Sequence, residues 1–246
     1  IRNTGGTEAM ATFTPDGDSS VVLASTIVSS LAGGTDVTIT TGADGSQSGD
    51  ISLEYFISPT LTGGAATLTL QAAGDVTTSG LGMIVASGDN PLNVTISAGG
   101  AVAVGALVQT NQGNFTSSGV NFTNTSTIIT LGGNVDLSGH TGAVAINAAM
   151  APYADGAGTD GSFTSAGTTF ISNNQGTITT GGGAFNVNNT GVVTIGANID
   201  ASGASGGGAS LGSITFNDSV ASINIGANLT AGENKNISLG NNPVTL

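Results

Sequence analysis

The sequence predicts an all-β fold: a right-handed parallel β-helix, or β-solenoid, with about 25 residues per coil. Three observations predict it. The first is a triplet, apolar–x–apolar, followed within a few positions by Gly, Ala or Asn. It recurs as Val37-Thr38-Ile39, Leu68-Thr69-Leu70, Val94-Thr95-Ile96, Val120-Asn121-Phe122, Val144-Ala145-Ile146, Val193-Thr194-Ile195 and Ile223-Asn224-Ile225, with a weaker copy at Thr168-Thr169-Phe170. The second apolar residue falls at 39, 70, 96, 122, 146, 170, 195 and 225, in steps of 31, 26, 26, 24, 24, 25 and 30. Stacked coils demand such a period, and ordinary globular domains lack it. The second observation is composition: 41 Gly, 5 Pro and 7% charged residues, with polar character carried by Ser, Thr and Asn. The third is the scarcity of Lys, Arg and Glu, which leaves few strong helix-forming polar residues.

Taken in order, the chain opens least regularly. Residues 1–35 read as irregular first coils, with turn signals at Gly5-Gly6 and Pro15-Asp16-Gly17-Asp18. Two strands are expected there, Ser20–Ala24 and Ser25–Leu31. The first clear repeat is Asp36–Thr41, followed by a turn at Gly42–Ser46 and an alternating strand over Ile51–Ile57. From Ala66 to Val108 each period holds three short apolar segments, for example Thr67–Leu70, Asp75–Thr77 and Leu81–Val85. Three strands joined by tight turns fit that order.

The middle of the chain gives the most direct internal similarity. Gly113–Phe122 and Gly161–Phe170 share six of ten residues, 48 apart, and Thr141–Ile146 matches Thr190–Ile195, 49 apart, so two coils form a larger repeat. Residues 149–161 read as a loop projecting from the stack. Gly196-Ala197-Asn198 returns as Gly226-Ala227-Asn228, and the Gly/Ser-rich run near 202–210 reads as an insertion. The whole of 1–246 is expected to be one solenoid segment with both ends uncapped, part of a longer filament that begins before Ile1 and continues past Leu246.

These residues carry a family resemblance. Leu31–Gly42, Gly49–Leu53, Ala66–Val76 and Pro91–Gly99 resemble the repeats of large filamentous-haemagglutinin-type bacterial exoproteins. The paired Phe-Thr-Ser-x-Gly-x-x-Phe segments at 115–122 and 163–170 resemble the β-strand-repeat regions of the same group. The resemblance covers roughly residues 31–240. It implies a surface or secreted location, adhesion or a stalk role, and an outer-membrane secretion partner. The Asn-Pro-Asn-Gly-type motif of the secretion domain is absent from the sequence, so the resemblance extends to the repeat region alone.

Charge narrows the function classes. Net charge is −13, and Arg2 and Lys235 are the only cationic side chains. Phosphate contacts need Lys or Arg, so nucleic acid is excluded as a partner and anionic lipid is disfavoured. No run of 18 apolar residues is present, so no membrane-spanning helix is expected. Cysteine is absent, which removes disulfides, thiolate metal sites and thiol nucleophiles. Partners are expected among other copies or neighbouring repeats, meeting end to end or laterally, and among surface glycans or proteins of a host or neighbouring cell.

Catalytic chemistry is thin, and no enzyme activity, catalytic residue, cofactor or metal site is assigned. The only close carboxylate pairs, Asp16/Asp18 and Asp155/Asp160, stand beside Gly and read first as turn formers. Weak Ca²⁺ binding at such carboxylates is the one metal chemistry they suggest. His140 is the sole histidine and reads as a polar turn residue matching Asn189. Phe115, Phe122, Phe163 and Phe170 read as stacked core. Tyr55 and Tyr153 read as exposed aromatic contacts. Eight Asn-x-Ser/Thr sequons match chance in so Asn- and Thr-rich a chain.

Three function classes follow: an adhesive or structural surface fibre, a β-helix protein that binds or acts on polysaccharide, and an ice-binding solenoid. The first is favoured. The Thr-x-Thr pairs at 67/69, 123/125 and 177/179 stand at different offsets from the nearest inward position, which argues against one ice-binding plane.

Overall fold

In the computed structural model the described residues are 10–14, 17, 19–41, 48–153, 160–203 and 211–246. Every strand pair is parallel, and the strands form three long sheets of ten, nine and seven strands with a two-stranded sheet at one corner. The chain is a parallel β-solenoid with three faces. One coil runs from Ala66–Ala72 on the long face, through Val76–Thr78 on the second face, to Ile84–Val85 on the third. It then returns to the long face one strand further on, at Leu92–Ala98. Ten stacked strands at about 4.8 Å give a rod of roughly 45 Å.

The strands form because alternate residues are apolar. In Leu92–Ala98 the residues Leu92, Val94, Ile96 and Ala98 are buried, while Asn93, Thr95 and Ser97 face outward. All three faces turn such residues into one continuous core. Six phenylalanines lie fully buried within it. Phe163 and Phe185 stack with ring centroids 5.2 Å apart, and Phe115–Phe122 and Phe163–Phe170 meet edge to face.

The eight-residue column read from the sequence is inward but is not one ladder. Ile39, Leu70 and Ile96 are partners on the long face, and that ladder continues to Ser117. Phe122 lies on the second face opposite Val144, and Ile146 pairs with Asn124 and Ser172. The triplet pattern recurs on two faces, so spacing alone merged them. Coil length also varies: Val94, Phe115 and Val135 are partners only 21 and 20 residues apart, whereas Val135 and Phe163 are 28 apart. A length near 25 is an average of short coils and coils with insertions.

The expected strands at Ser20–Ala24 and Ser25–Leu31 are overturned. Residues 20–23 form no strand, and Ala24–Ala32 is an α-helix. Ala24, Ile27, Val28 and Leu31 recur at helical spacing, with Ile27 and Leu31 buried. Burial of this stripe overrides the weak helix propensity of its Ser, Thr, Val and Ile. The helix takes the place of second- and third-face strands in the first coil. It packs on Asp36–Thr40, Thr60–Leu61 and Ala66–Ala72. Its last carbonyl, on Ala32, accepts a bond of 3.2 Å from the Gly63 amide. At this end the helix covers one side of the core, while Met10–Phe13 is paired along one edge only.

Ile51–Ile57 is likewise not one strand. Ile51–Leu53 belongs to the second face, the chain turns at Glu54–Phe56, and Ile57 bridges to Ile84 on the third. At the other end, Ile237 and Val244 are about two-fifths exposed on strands paired along one edge only.

Candidate interaction surface

Corners, not faces, decide where this rod can carry insertions. Between the third face and the long face an ordinary coil turns within four residues: Thr110–Gly113, Thr130–Gly133 and Thr180–Gly183. In each, the Gly amide donates to the Thr carbonyl at 3.3–3.5 Å. Each Thr hydroxyl, fully buried, donates to the carbonyl of the Gly three residues on. Glycine is required because coils approach closely here. A Cβ on Gly133 would fall on the carbonyl of Gly113, one on Gly161 on that of Gly133, and one on Gly183 on that of Gly161.

Two coils carry insertions at this same corner. The Gly161 amide donates to the Pro152 carbonyl at 2.7 Å, and the Gly212 amide donates to the Ala201 carbonyl at 3.0 Å. These bonds match those of the tight corners, with Pro152 and Ala201 in the place of Thr. Each insertion is thus closed at its stem by the bond that closes an uninterrupted coil, and long-face pairing resumes at Phe163 and Ile214. The expected projecting loop is narrower than 149–161, because Met150–Ala151 is a third-face strand and Gly161 belongs to the corner. Residues 154–159 and 204–210, including Asp155, lie outside the described residues, as do Asp16 and Asp18.

Between the two stems lies the Thr180–Gly183 corner. Tyr153 packs against Gly181, and Asp160 Oδ1 lies at the same place. Burial pushes the Asp160 carboxyl above its ordinary range. Across the floor, Asp200 Oδ1 accepts bonds from the Ser202 amide at 2.9 Å and the Ser202 hydroxyl at 2.6 Å. The corner therefore groups one half-exposed aromatic ring, two carboxylates and small residues between two insertions. Tyr55, the other expected aromatic contact, is exposed at a different corner.

Asx side chains stitch successive coils outside the core. Asn93 Oδ1 accepts the Asn114 amide at 2.9 Å, Asn114 Oδ1 the Asn134 amide at 2.8 Å, and Asn134 Oδ1 the Ser162 amide at 2.8 Å. At the next corner Asp50 accepts from Asp75, and Asp75 from Ala101. The Ser48 hydroxyl and the Asp75 amide hold the Asp50 carboxyl below its usual value. These acidic and amide groups are thus occupied by the backbone. Among the described residues no group of three His, Cys, Asp or Glu is arranged to hold a metal ion.

The long face carries an outward ladder. Thr12, Thr38, Thr69, Thr95 and Thr116 are successive partners, followed by Asp136 and then Thr164. The Thr-x-Thr pairs at 67/69, 123/125 and 177/179 lie on different faces: 67/69 on the long face, 123/125 on and just past a second-face strand, and 177/179 at a third-face strand. Their failure to share a register follows from that placement. The threonine ladder is instead built from one residue per coil, a pattern that sequence spacing hid.

His140 is corrected from a polar turn residue to a core residue. It is 3% exposed, with Nε2 3.0 Å from the Ser117 hydroxyl and its ring 5.4 Å from Phe122. The match to Asn189 is sound, since Asn189 is also buried, two residues past the strand Phe185–Val187. Phe115, Phe122, Phe163 and Phe170 are buried, as expected. Phe185 and Phe216 join them without having been singled out. Among the described residues no helix is long and apolar enough to cross a membrane. Searches against protein-family models, curated proteins and solved structures find no match.

Proposed function

We propose that this chain is a structural and adhesive segment of a bacterial cell-surface or secreted filamentous protein. In this reading it is a spacer rod rather than an enzyme, and it carries contact loops along one corner. The observation that supports the reading best is the pair of closed stems, Pro152–Gly161 and Ala201–Gly212, on a single corner of a regular stack. Insertions placed this way vary without altering the coils, so contact chemistry is separated from the scaffold. The resemblance to filamentous-haemagglutinin repeats points the same way. It adds an outer-membrane secretion partner and, as contacts, neighbouring repeats and surface glycans or proteins. The sole histidine lies inside the core, out of reach of a substrate on the surface.

Excising the loop tests this. Replacing residues 153–160 with Asn-Gln, the pair that separates Thr110 from Gly113, should leave the β-sheet circular dichroism signal and melting temperature nearly unchanged. Adhesion of cells displaying the protein to a host-cell or glycan-coated surface should fall severalfold. Unchanged adhesion, or a cytoplasmic location of the native protein on fractionation, would sink the proposal.

A second reading rests on the ladder Thr12–Thr38–Thr69–Thr95–Thr116. Rows of threonine in strand register on one flat sheet suit ordered water, as on an ice surface, although Asp36 and Asp136 place carboxylates on the same face. Measurement of ice recrystallisation with the wild type and a Thr69→Tyr, Thr95→Tyr variant distinguishes this reading from the first.

A further inference from the structure

We propose that His140 makes the coils between Gly113 and Ile146 an acid-labile section of the rod, which opens locally when this one buried imidazole takes up a proton. The geometry carries the idea. His140 ends the strand Val135–His140, where the pairing with Phe115–Gly119 slips: Thr116 pairs with Asp136, but Ser118 pairs with Gly139 and Gly119 with His140. The slip turns the imidazole into the core. Nε2 finds the Ser117 hydroxyl, while Nδ1 is buried without a partner. A neutral ring tolerates this, because Nδ1 can be a bare acceptor. A protonated ring would bury a second donor and a positive charge against Phe122, with nothing to receive either.

No neighbouring group relieves that charge. The Phe115–Gly119 strand offers Ser117 alone. On the second face Phe122 presents its ring, and the Asn124 amide is committed to the carbonyls of Ser126 and Ala148. On the histidine's own strand Asp136 lies on the outer side, its Oδ1 accepting the Ser138 amide. In the next coil Ser165 is bonded to Asn189. Asp136 and His140 are the only charge-bearing side chains between Ala101 and Pro152.

The corresponding site two coils on shows the alternative. Ser165 donates to Asn189 Oδ1 at 3.0 Å, and Asn189 Nδ2 donates to the Thr169 carbonyl at 3.0 Å. That pair is satisfied and does not titrate. Burial pulls the imidazole of His140 down from 6.5 to about 4. An opened coil therefore binds the proton first, and opening becomes easier as pH falls from about 6.5 towards 4.

Amide hydrogen exchange of the untagged protein at pH 7 and pH 5, corrected for intrinsic rates, tests the proposal. Peptides from 113–146 should lose protection by at least about tenfold at pH 5, while peptides from 163–200 and 211–216 hold theirs. His140→Asn, which imitates Asn189, should abolish the difference. Equal loss along the whole rod, the same loss in His140→Asn, or no loss would overturn the proposal. Should His140→Asn fail to fold, the single imidazole signal of the wild type in NMR decides. A midpoint below pH 5, accompanied by collapse of the resonances of 113–146, supports the switch. A midpoint near 6.5 with those resonances unmoved refutes it.

Discussion

At the scale of single residues, the sharpest constraint is the glycine line at Gly113, Gly133, Gly161, Gly183 and Gly212, where neighbouring coils nearly touch. Gly133→Ala forces a methyl group into the Gly113 carbonyl, and both are backbone positions that cannot rotate away. The expected loss is about 2–3 kcal/mol, read from the denaturant midpoint. Gly226→Ala is the internal control. Its Cβ would meet only the Ile195 carbonyl, at 3.5 Å, and the change should stay within about 0.5 kcal/mol. Equal effects at the two sites would remove the close-approach account. The inward phenylalanines were legible because each occupies an apolar position in an alternating strand. The glycine line was legible in principle as Thr-x-x-Gly at 110, 130 and 180, but scattered among 41 glycines it did not stand out. His140 was not legible, because its inward direction depends on a slip in pairing that alternation alone does not reveal.

At the scale of elements, the helix Ala24–Ala32 is the clearest departure from sequence-based expectation. A run rich in Ser, Thr, Val and Ile resembles a strand by composition, yet its buried residues are spaced for a helix. Leu31, fully buried against the first coils, tests its role as a cover. Leu31→Ala should lower stability by about 2–4 kcal/mol and hasten proteolysis of residues 19–41 ahead of the rest. Unaltered cleavage there would mean that the helix does not hold this end. Ile51–Ile57 departs from expectation for a related reason: alternation continues while the chain turns a corner, so its pattern is that of one strand although two faces share the segment. The loop-bearing corner was half visible. Residues 149–161 and 202–210 stood out by composition, but that both leave one corner is set by register.

At the scale of the molecule, each coil contacts chiefly its neighbours, so stability should vary along the rod rather than be uniform. Burial is complete at Phe163, Phe170 and Phe185 and falls away at Ile237, Val244 and Leu246. Native-state hydrogen exchange at neutral pH is expected to show strongest protection in strands between Phe115 and Phe216 and weakest in 229–246. A single uniform opening energy along the chain would contradict that nearest-neighbour picture. Net charge is −13, and among the described residues most carboxylates lie outside strands, with Lys235 the one Lys or Arg. Mutual repulsion of such surfaces favours solubility over lateral collapse.

The sequence by itself determined the architecture: parallel strands, three per coil, about ten coils, a core of Val, Ile, Leu and Phe, and corners of Gly, Asn and Asp. Those features follow from local alternation and turn chemistry, which a few adjacent residues specify. Only the tertiary structure decided which apolar triplets are partners, where the helix replaces strands, that two insertions share one corner, and that His140 faces inward beside Ser117. Each of these depends on the register between coils 20 to 31 residues apart. Register is set by the total length of every intervening corner and insertion, a sum that no single stretch of sequence displays.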